Sequence, residues 1–283
     1  MNAHDTRILM CSPEHFHVDY VINPWMEGNV DQASPAGARR QWRALRDTLA
    51  ELATVVEVPP ADGLPDMVFT ANAGTVCGNR AVLSRFFHPE RQGEADHFGR
   101  WFRDHGFEVL ELPEGIHYEG AGDSLLDRAG EWIWAGHGFR TDFESHKFVA
   151  DWLGREVVSL RLVDPYFYHL DTCMCPLADG YLLYYPAAFD DAARREIEQR
   201  VPTHKRIAVT DEDAEQFSCN TVNIGRHIVM HRASDALRQR LKQAGFEVHE
   251  VDLSEFIKSG GSAKCLTLKV TEPEAVASHR ATA

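Results

Sequence analysis

The sequence predicts an α/β fold assembled from five copies of one small unit, and three observations carry that expectation. A short motif, in which a polar or small residue runs into an apolar strand, recurs at intervals of roughly 50 residues, the signature of a repeated supersecondary unit. Its copies are Asn72-Ala73-Gly74-Thr75-Val76, Asp123-Ser124-Leu125-Leu126, Cys173-Met174-Cys175-Pro176-Leu177, Asn220-Thr221-Val222-Asn223-Ile224 and Cys265-Leu266-Thr267-Leu268. Each copy follows an amphipathic stretch and a β-rich run. Two of the junctions share four letters, Gly106-Phe107-Glu108-Val109 and Gly245-Phe246-Glu247-Val248.

The helical stretches are expected over 37–52, 95–105, 145–153, 190–200 and 234–244, where apolar residues recur at helical spacing. The run after each is expected to be a strand: 55–58, 107–112, 157–162, 207–209 and 246–251. At the two shared junctions, glycine stands where a left-handed cap ends a helix, and Phe-Glu-Val alternates as a strand does. After the motif, a second strand is legible in four of the five copies, at 81–84, 132–134, 181–185 and 227–230. The unit reads helix, strand, strand, turn, strand. Five such units around one axis would share a continuous core, so 1–283 is expected to form one globular domain.

Composition narrows the function classes. A net charge of −14 argues against a nucleic-acid partner, because phosphate binding requires a basic face that displaces counterions. The first residues lack a basic region leading into an apolar run, and no stretch approaches the roughly 18 apolar residues of a membrane span. Six scattered cysteines do not form a disulfide framework, so the expected compartment is the reducing cytoplasm. Self-association stays open.

Four segments hold side chains able to do chemistry. In Tyr168-His169-Leu170-Asp171-Thr172, an extended backbone would point His169 and Asp171 to the same face, although a lone His-x-Asp more often marks a satisfied loop histidine. Glu119-Gly120-Ala121-Gly122-Asp123 sets two acids around small residues, equally the make-up of a tight turn. Asp66 and Asn72 flank Met67-Val68-Phe69-Thr70-Ala71, with Asp66 alone readable as a turn residue after Pro65. Gly260-Gly261-Ser262-Ala263-Lys264-Cys265 brings a thiol to the start of the last strand, a position where cysteine is usually inert core. If the five motif starts converge, a thiol, an imidazole, carboxylates and an amide would share one pocket, which is a nucleophile with an acid–base partner and a cage for a cation. A zinc site at His169, Cys173 and Cys175 is a weak reading, since Cys-x-Cys is not the usual zinc spacing and no second Cys/His pair completes it.

With this period, Glu119 to Asp123, His169-Leu170-Asp171 and the late Cys265, the chain resembles the guanidine-modifying superfamily over nearly its whole length. That resemblance implies the pentein fold, a five-bladed pseudo-symmetric α/β propeller of repeated ββαβ-type units. Asn23-Pro24-Trp25-Met26, Phe69 to Gly74, Glu90 to Glu94 and Gly138-Phe139-Arg140 are similar to the arginine dihydrolase branch, which converts arginine to ornithine, carbon dioxide and two ammonia molecules. By resemblance, Cys265 is the nucleophile, His169 the general acid then base, and Glu119 the group that orients it. Asp66 and Asp171 would hold the guanidinium, Arg91 and Arg140 the substrate carboxylate, and Asn23 the bound amino acid; Asp123 joins the substrate-binding set. No cofactor or metal is implied. Asn72 stands where dimethylarginine hydrolases and many deiminases carry an acid, and this departure favours the dihydrolase. Single hydrolysis to citrulline by a deiminase or dimethylarginine dimethylaminohydrolase, and a pentein scaffold without turnover, are the alternatives, with agmatine as another guanidino substrate. The segment 18–28, which contains Asn23, is the expected lid.

Overall fold

The computed structural model describes residues 6–129 and 132–271. Its strands form five three-stranded sheets. Four of them repeat one pattern: a tight antiparallel hairpin, a crossover carrying a helix, and a third strand parallel to the second. They are β3 (Gly74–Cys77), β4 (Arg80–Leu83) and β5 (Glu108–Glu111); β6 (Ser124–Leu126), β7 (Trp132–His137) and β8 (Glu156–Arg161); β9 (Met174–Leu177), β10 (Tyr181–Tyr184) and β11 (Arg206–Ala208); and β12 (Val222–Ile224), β13 (His227–Met230) and β14 (Glu247–Glu250). The fifth sheet answers the copy whose second strand was not legible. β15 (Leu268–Thr271) pairs antiparallel with β1 (Arg7–Cys11), which pairs parallel with β2 (Thr54–Val58). The missing strand lies at the other end of the chain, where a search running onward from Cys265 cannot meet it.

The crossover helices are Pro35–Ala50, Glu94–Asp104, Ser145–Leu153, Asp191–Arg200 and Asp235–Gln243. Their starts have local causes. Ser34, Asp190 and Ser234 cap the backbone N–H groups of Gly37, Ala193 and Leu237 with their side chains, and Pro35 fits the first helical position, where no N–H is needed. Gly106 and Gly245, at the shared junctions, have φ of 83° and 87°, the left-handed geometry that admits glycine without strain. Each helix buries one stripe. In Pro35–Ala50 the stripe is Ala38, Gln41, Trp42, Leu45 and Leu49, and the apolar members pack with Ile8 and Met10 of β1 and Val229 of β13. Each large apolar side chain so buried contributes about 1.5–3 kcal/mol.

One turn of helix or a tight turn precedes β3, β6, β9, β12 and β15: Thr70–Ala73, Gly120–Gly122, Leu170–Cys173, and the turns at 216–220 and 263–266. Hydrogen bonds link these turns in a closed circuit. Asn72 Nδ2 donates to the Glu119 carbonyl at 3.0 Å, and Leu170 N to Asp123 Oδ1 at 3.0 Å. Asn220 Nδ2 donates to the Asp171 carbonyl at 3.0 Å, Cys265 N to Asn220 Oδ1 at 3.1 Å, and Ala71 N to the Cys265 carbonyl at 3.0 Å. Residues nearly 200 positions apart are therefore neighbours. Among the described residues, no helix is long and apolar enough to cross a membrane.

Candidate active site

The circuit of turns is lined by the polar residues that open the repeats. Cys265, His169, Glu119, Asn72, Asp66, Asp171, Asp123, Asn23, Arg91 and Arg140 are all buried. An expectation about local geometry is corrected here. His169 and Asp171 do not share the face of an extended strand: His169 has extended φ/ψ and caps the helical turn Leu170–Cys173, inside which Asp171 lies. The change of backbone state between them sends their side chains to different partners. His169 reaches Glu119, with Nε2 to Oε2 at 2.8 Å, whereas Asp171 faces the Cys265 thiol, with Sγ to Oδ2 at 3.5 Å. The turn also ends at Cys173, directly ahead of β9. Cys173 Sγ lies 3.4 Å from the Leu170 carbonyl, and that of Cys175 lies 3.3 Å from the Thr221 carbonyl.

Cys265 Sγ accepts a hydrogen bond from Asn220 Nδ2 at 3.0 Å. Burial, with the Asp171 carboxylate beside it, pushes this thiol well above its ordinary pKa, so it rests as S–H. His169 is shifted the other way. Burial lowers it to about 4 in spite of the Glu119 hydrogen bond, so the ring is neutral at pH 7. Burial works against the charge of Glu119, but Arg140, with NH1 to Oε2 at 3.2 Å, and His169 together hold its carboxylate well below the usual range. An ionised Glu119 only accepts, which places the His169 proton on Nε2 and leaves Nδ1 as the basic lone pair. Gly122 makes this packing feasible: a Cβ there would collide with the Asn72 amide and stand 3.4 Å from His169 Nδ1.

Asn72 is held at both ends. Its Nδ2 donates to the Glu119 carbonyl, and its Oδ1 accepts from Arg91 NH1 at 3.0 Å. Arg91 also forks onto Glu94, with two bonds of 2.8 Å, and donates to the Asp66 carbonyl at 3.2 Å. Although burial opposes its charge, Glu94 keeps Arg91 protonated well above its ordinary value. Arg140 donates NH2 to the Ile22 carbonyl at 2.8 Å and lies over the Tyr168 ring, 4.7 Å from its centroid. Both arginines, expected to face a substrate carboxylate, thus already have internal acceptors. Asp123 accepts from Thr141 Oγ1 at 2.7 Å and from Leu170 N, and its Oδ2 is 3.8 Å from His169 Nε2. It steadies the turn that carries the imidazole. Asp66 accepts from Tyr20 at 2.8 Å and Ser259 at 3.3 Å, and burial raises its pKa. Asn23 donates to the Ser259 carbonyl at 3.1 Å. The segment expected as a lid is therefore tied to the site through Tyr20, Ile22 and Asn23.

The profile of the eukaryotic N,N dimethylarginine dimethylhydrolase family matches residues 19–272. The chain belongs to this family. It is 58% identical over 271 residues to the bifunctional arginine dihydrolase/ornithine cyclodeaminase ArgZ of Synechocystis, covering 96% of this chain and 38% of that protein's length. It is also 42% identical over 268 residues to the N(G),N(G)-dimethylarginine dimethylaminohydrolase of Mycobacterium tuberculosis, covering 93% of this chain and 85% of that one. The crystal structure of the N-terminal domain of ArgZ, as a cysteine-to-serine variant bound to substrate, superposes with a TM-score of 0.94 at 58% identity, over 95% of this chain and 99% of that one. The chain spans well under half the length of the arginine dihydrolase/ornithine cyclodeaminase proteins it matches, 38% in each case.

Several residues of this dimethylarginine dimethylhydrolase family site were not singled out in the sequence. Asn220 is the most important, since it bonds the thiol, the backbone of the nucleophile and the preceding turn. A signal existed: Asn220 opens the fourth copy of the repeat, in the place Asn72 takes in the first. Glu94 stands three residues after Arg91, a helical pairing distance. Tyr20, Thr141, Tyr168 and Ser259 had no local signal.

Burial raises Asp171 to about 7, partly offset by Lys264, Cys265 and Asn220. A guanidinium is attracted only by the ionised carboxylate, so binding a cation here requires deprotonated Asp171. For a guanidino substrate held by Asp171, the expected acid limb of kcat/KM falls through about pH 7, with activity lost as pH drops. A limb near pH 4, where His169 titrates, would sink this assignment to Asp171.

Proposed function

We propose that this chain is an arginine dihydrolase unit, converting arginine and two waters to ornithine, carbon dioxide and two ammonia. The observation that carries the reading is the Asn72 amide, fixed between the Glu119 carbonyl and Arg91 in a site otherwise rich in carboxylates. In this reading 1–283 is one catalytic domain, and its units form a five-bladed pentein propeller; the closed circuit of turns and the pairing of β15 with β1 support that arrangement. The chain spans 38% of the length of ArgZ, whose name carries ornithine cyclodeaminase as a second activity. A thiol nucleophile must stay reduced, which fits work in the cytoplasm.

The chemistry follows from the resting protonation states. The arriving guanidinium pairs with Asp171 and Asp66, and its charge lowers the pKa of Cys265, whose proton passes to His169 Nδ1. The thiolate attacks the central guanidinium carbon. His169, now an imidazolium held by Glu119, protonates the departing ammonia and leaves a planar thiouronium on Cys265. His169 then takes a proton from water, which attacks the same carbon, and collapse returns the thiol and citrulline. In the second round the thiolate attacks the ureido carbon and expels the second ammonia, forming an S-carbamoyl thioester. Its hydrolysis gives an N-carboxy ornithine that loses carbon dioxide. Arg91 and Arg140 are assigned to the substrate carboxylate, sharing their N–H groups with the internal acceptors, and Asn23 to the amino-acid end.

The amide matters in the second round. The ureido group is neutral and presents an oxygen, which a carboxylate at position 72 would repel and an Nδ2–H tolerates. Two ammonia and one ornithine per arginine, without added metal or cofactor, is the expected stoichiometry. One ammonia with citrulline would make this a deiminase and end the proposal. Asn72→Asp is expected to lower the ratio of ornithine to citrulline at least about tenfold, since an interaction worth about 1.4 kcal/mol is enough for that factor. An unchanged ratio would remove the amide from the mechanism. In a related case, an asparagine-to-serine variant of the ArgZ N-terminal domain has been captured covalently bound to a reaction intermediate.

A further inference from the structure

Away from the thiol, the sheet of β12, β13 and β14 carries three side chains that no step above uses. His227 of β13 and Glu247 of β14 are register partners, and His249 follows Glu247 by two residues on the same face. Val248, between them, packs against the core on the other face. Backbone pairing therefore converges two imidazoles and a carboxylate on one spot of the surface. His227 Nδ1 lies 3.0 Å from His249 Nε2 and 3.5 Å from Glu247 Oε2, and His249 Nε2 lies 3.8 Å from Glu247 Oε1. The three ligand atoms are all within 4.8 Å of one another.

We propose that His227, Glu247 and His249 form a binding site for a divalent transition metal of the zinc class. Zinc bound by two imidazoles and a carboxylate at about 2.0–2.2 Å, with tetrahedral angles, separates its donor atoms by roughly 3.3–3.5 Å. The ring nitrogens, 3.0 Å apart, face different oxygens of Glu247 at 3.5 and 3.8 Å, and with one donor atom from each residue within 4.8 Å of the others, turning one oxygen toward both rings brings the three donors to that geometry. Two ring nitrogens 3.0 Å apart share one proton as a donor–acceptor pair. For both lone pairs to face an ion, the donor ring keeps its proton on its other nitrogen, a tautomer change that releases no proton. The donors suit zinc, nickel or copper rather than magnesium or calcium, which favour all-oxygen shells. The fourth position is open to water. A bound ion would tie β13 to the edge strand β14 and stabilise that sheet.

The test is a calorimetric titration with Zn2+ of the Cys265→Ser chain, which removes the active-site thiol as a competing ligand. One equivalent is expected to bind and to raise the melting temperature. In Cys265→Ser/His249→Ala and Cys265→Ser/His227→Ala the affinity should fall at least about tenfold and the thermal shift disappear, with an unchanged far-ultraviolet spectrum confirming the fold. Co2+ should give tetrahedral visible absorption that vanishes in the same variants. Absence of saturable binding in Cys265→Ser, or equal affinity with and without the two histidines, would overturn the proposal and leave the cluster as a hydrogen-bonded histidine pair.

Discussion

Cys265→Ala is expected to lower ammonia release from arginine at least about 10⁴-fold while arginine still binds, because removing a covalent nucleophile costs about that much or more. The structure gives this prediction its second half. Of the groups proposed to hold the guanidinium, Asp66 receives its hydrogen bonds from Tyr20 and Ser259, and Asp171, besides the Cys265 S–H, is steadied by the Asn220 side chain. Truncation to alanine also relieves a buried thiol whose ionisation is disfavoured by the adjacent carboxylate. Calorimetry of arginine binding and an ammonia assay on the same preparation separate the two effects. Turnover within tenfold of the parent would rule out covalent catalysis. Loss of all guanidino binding in the folded parent would favour the pentein scaffold without turnover.

Asp171→Asn is expected to move activity and stability in opposite directions. For activity, the variant loses the negative charge that faces both the thiol and an incoming cation, and kcat/KM should fall roughly 10²–10⁴-fold, the range for removing one member of a buried charge pair. For stability, the sign runs the other way. Asp171 titrates near 7 in the folded chain, above the ordinary carboxylate range, because burial penalises its charge. The folded state thus binds a proton more tightly than the unfolded one, so this group opposes folding increasingly from about pH 4 to pH 7 and fully above. Asparagine removes that opposition. Allowing for the weakened contacts to Cys265, the variant should gain on the order of 1–3 kcal/mol at pH 8 and little at pH 4. Thermal unfolding at the two pH values checks it, and a variant destabilised at pH 8 would show that the carboxylate is compensated by Lys264 more fully than its burial suggests.

Much of the architecture was legible because its causes are local. Helix stripes and the paired Gly-Phe-Glu-Val junctions lie within a few residues of the structure they specify, and all five crossover helices fall where their apolar spacing places them. The repeat also brought the correct residue types to one end of each unit. What escaped was direction. The backbone changes from extended to helical between His169 and Asp171, and two-residue alternation has no meaning across such a boundary. Asn220 escaped for a related reason: it carries no charge and no nucleophile, and its importance comes from joining its own turn to two others at once.

By itself the sequence determined the repeating unit, the acidic character of the chain and the inventory of thiol, imidazole, carboxylates and amide. Those are properties of composition and short-range periodicity. Only the tertiary structure decided that β1 completes the last sheet, that Glu119 serves His169 while Asp171 serves Cys265, and that the thiol rests protonated while the imidazole is neutral. The reason is physical. Protonation and pairing depend on which distant segments exclude water from a group, and that exclusion exists only once residues from both ends of the chain have closed around it.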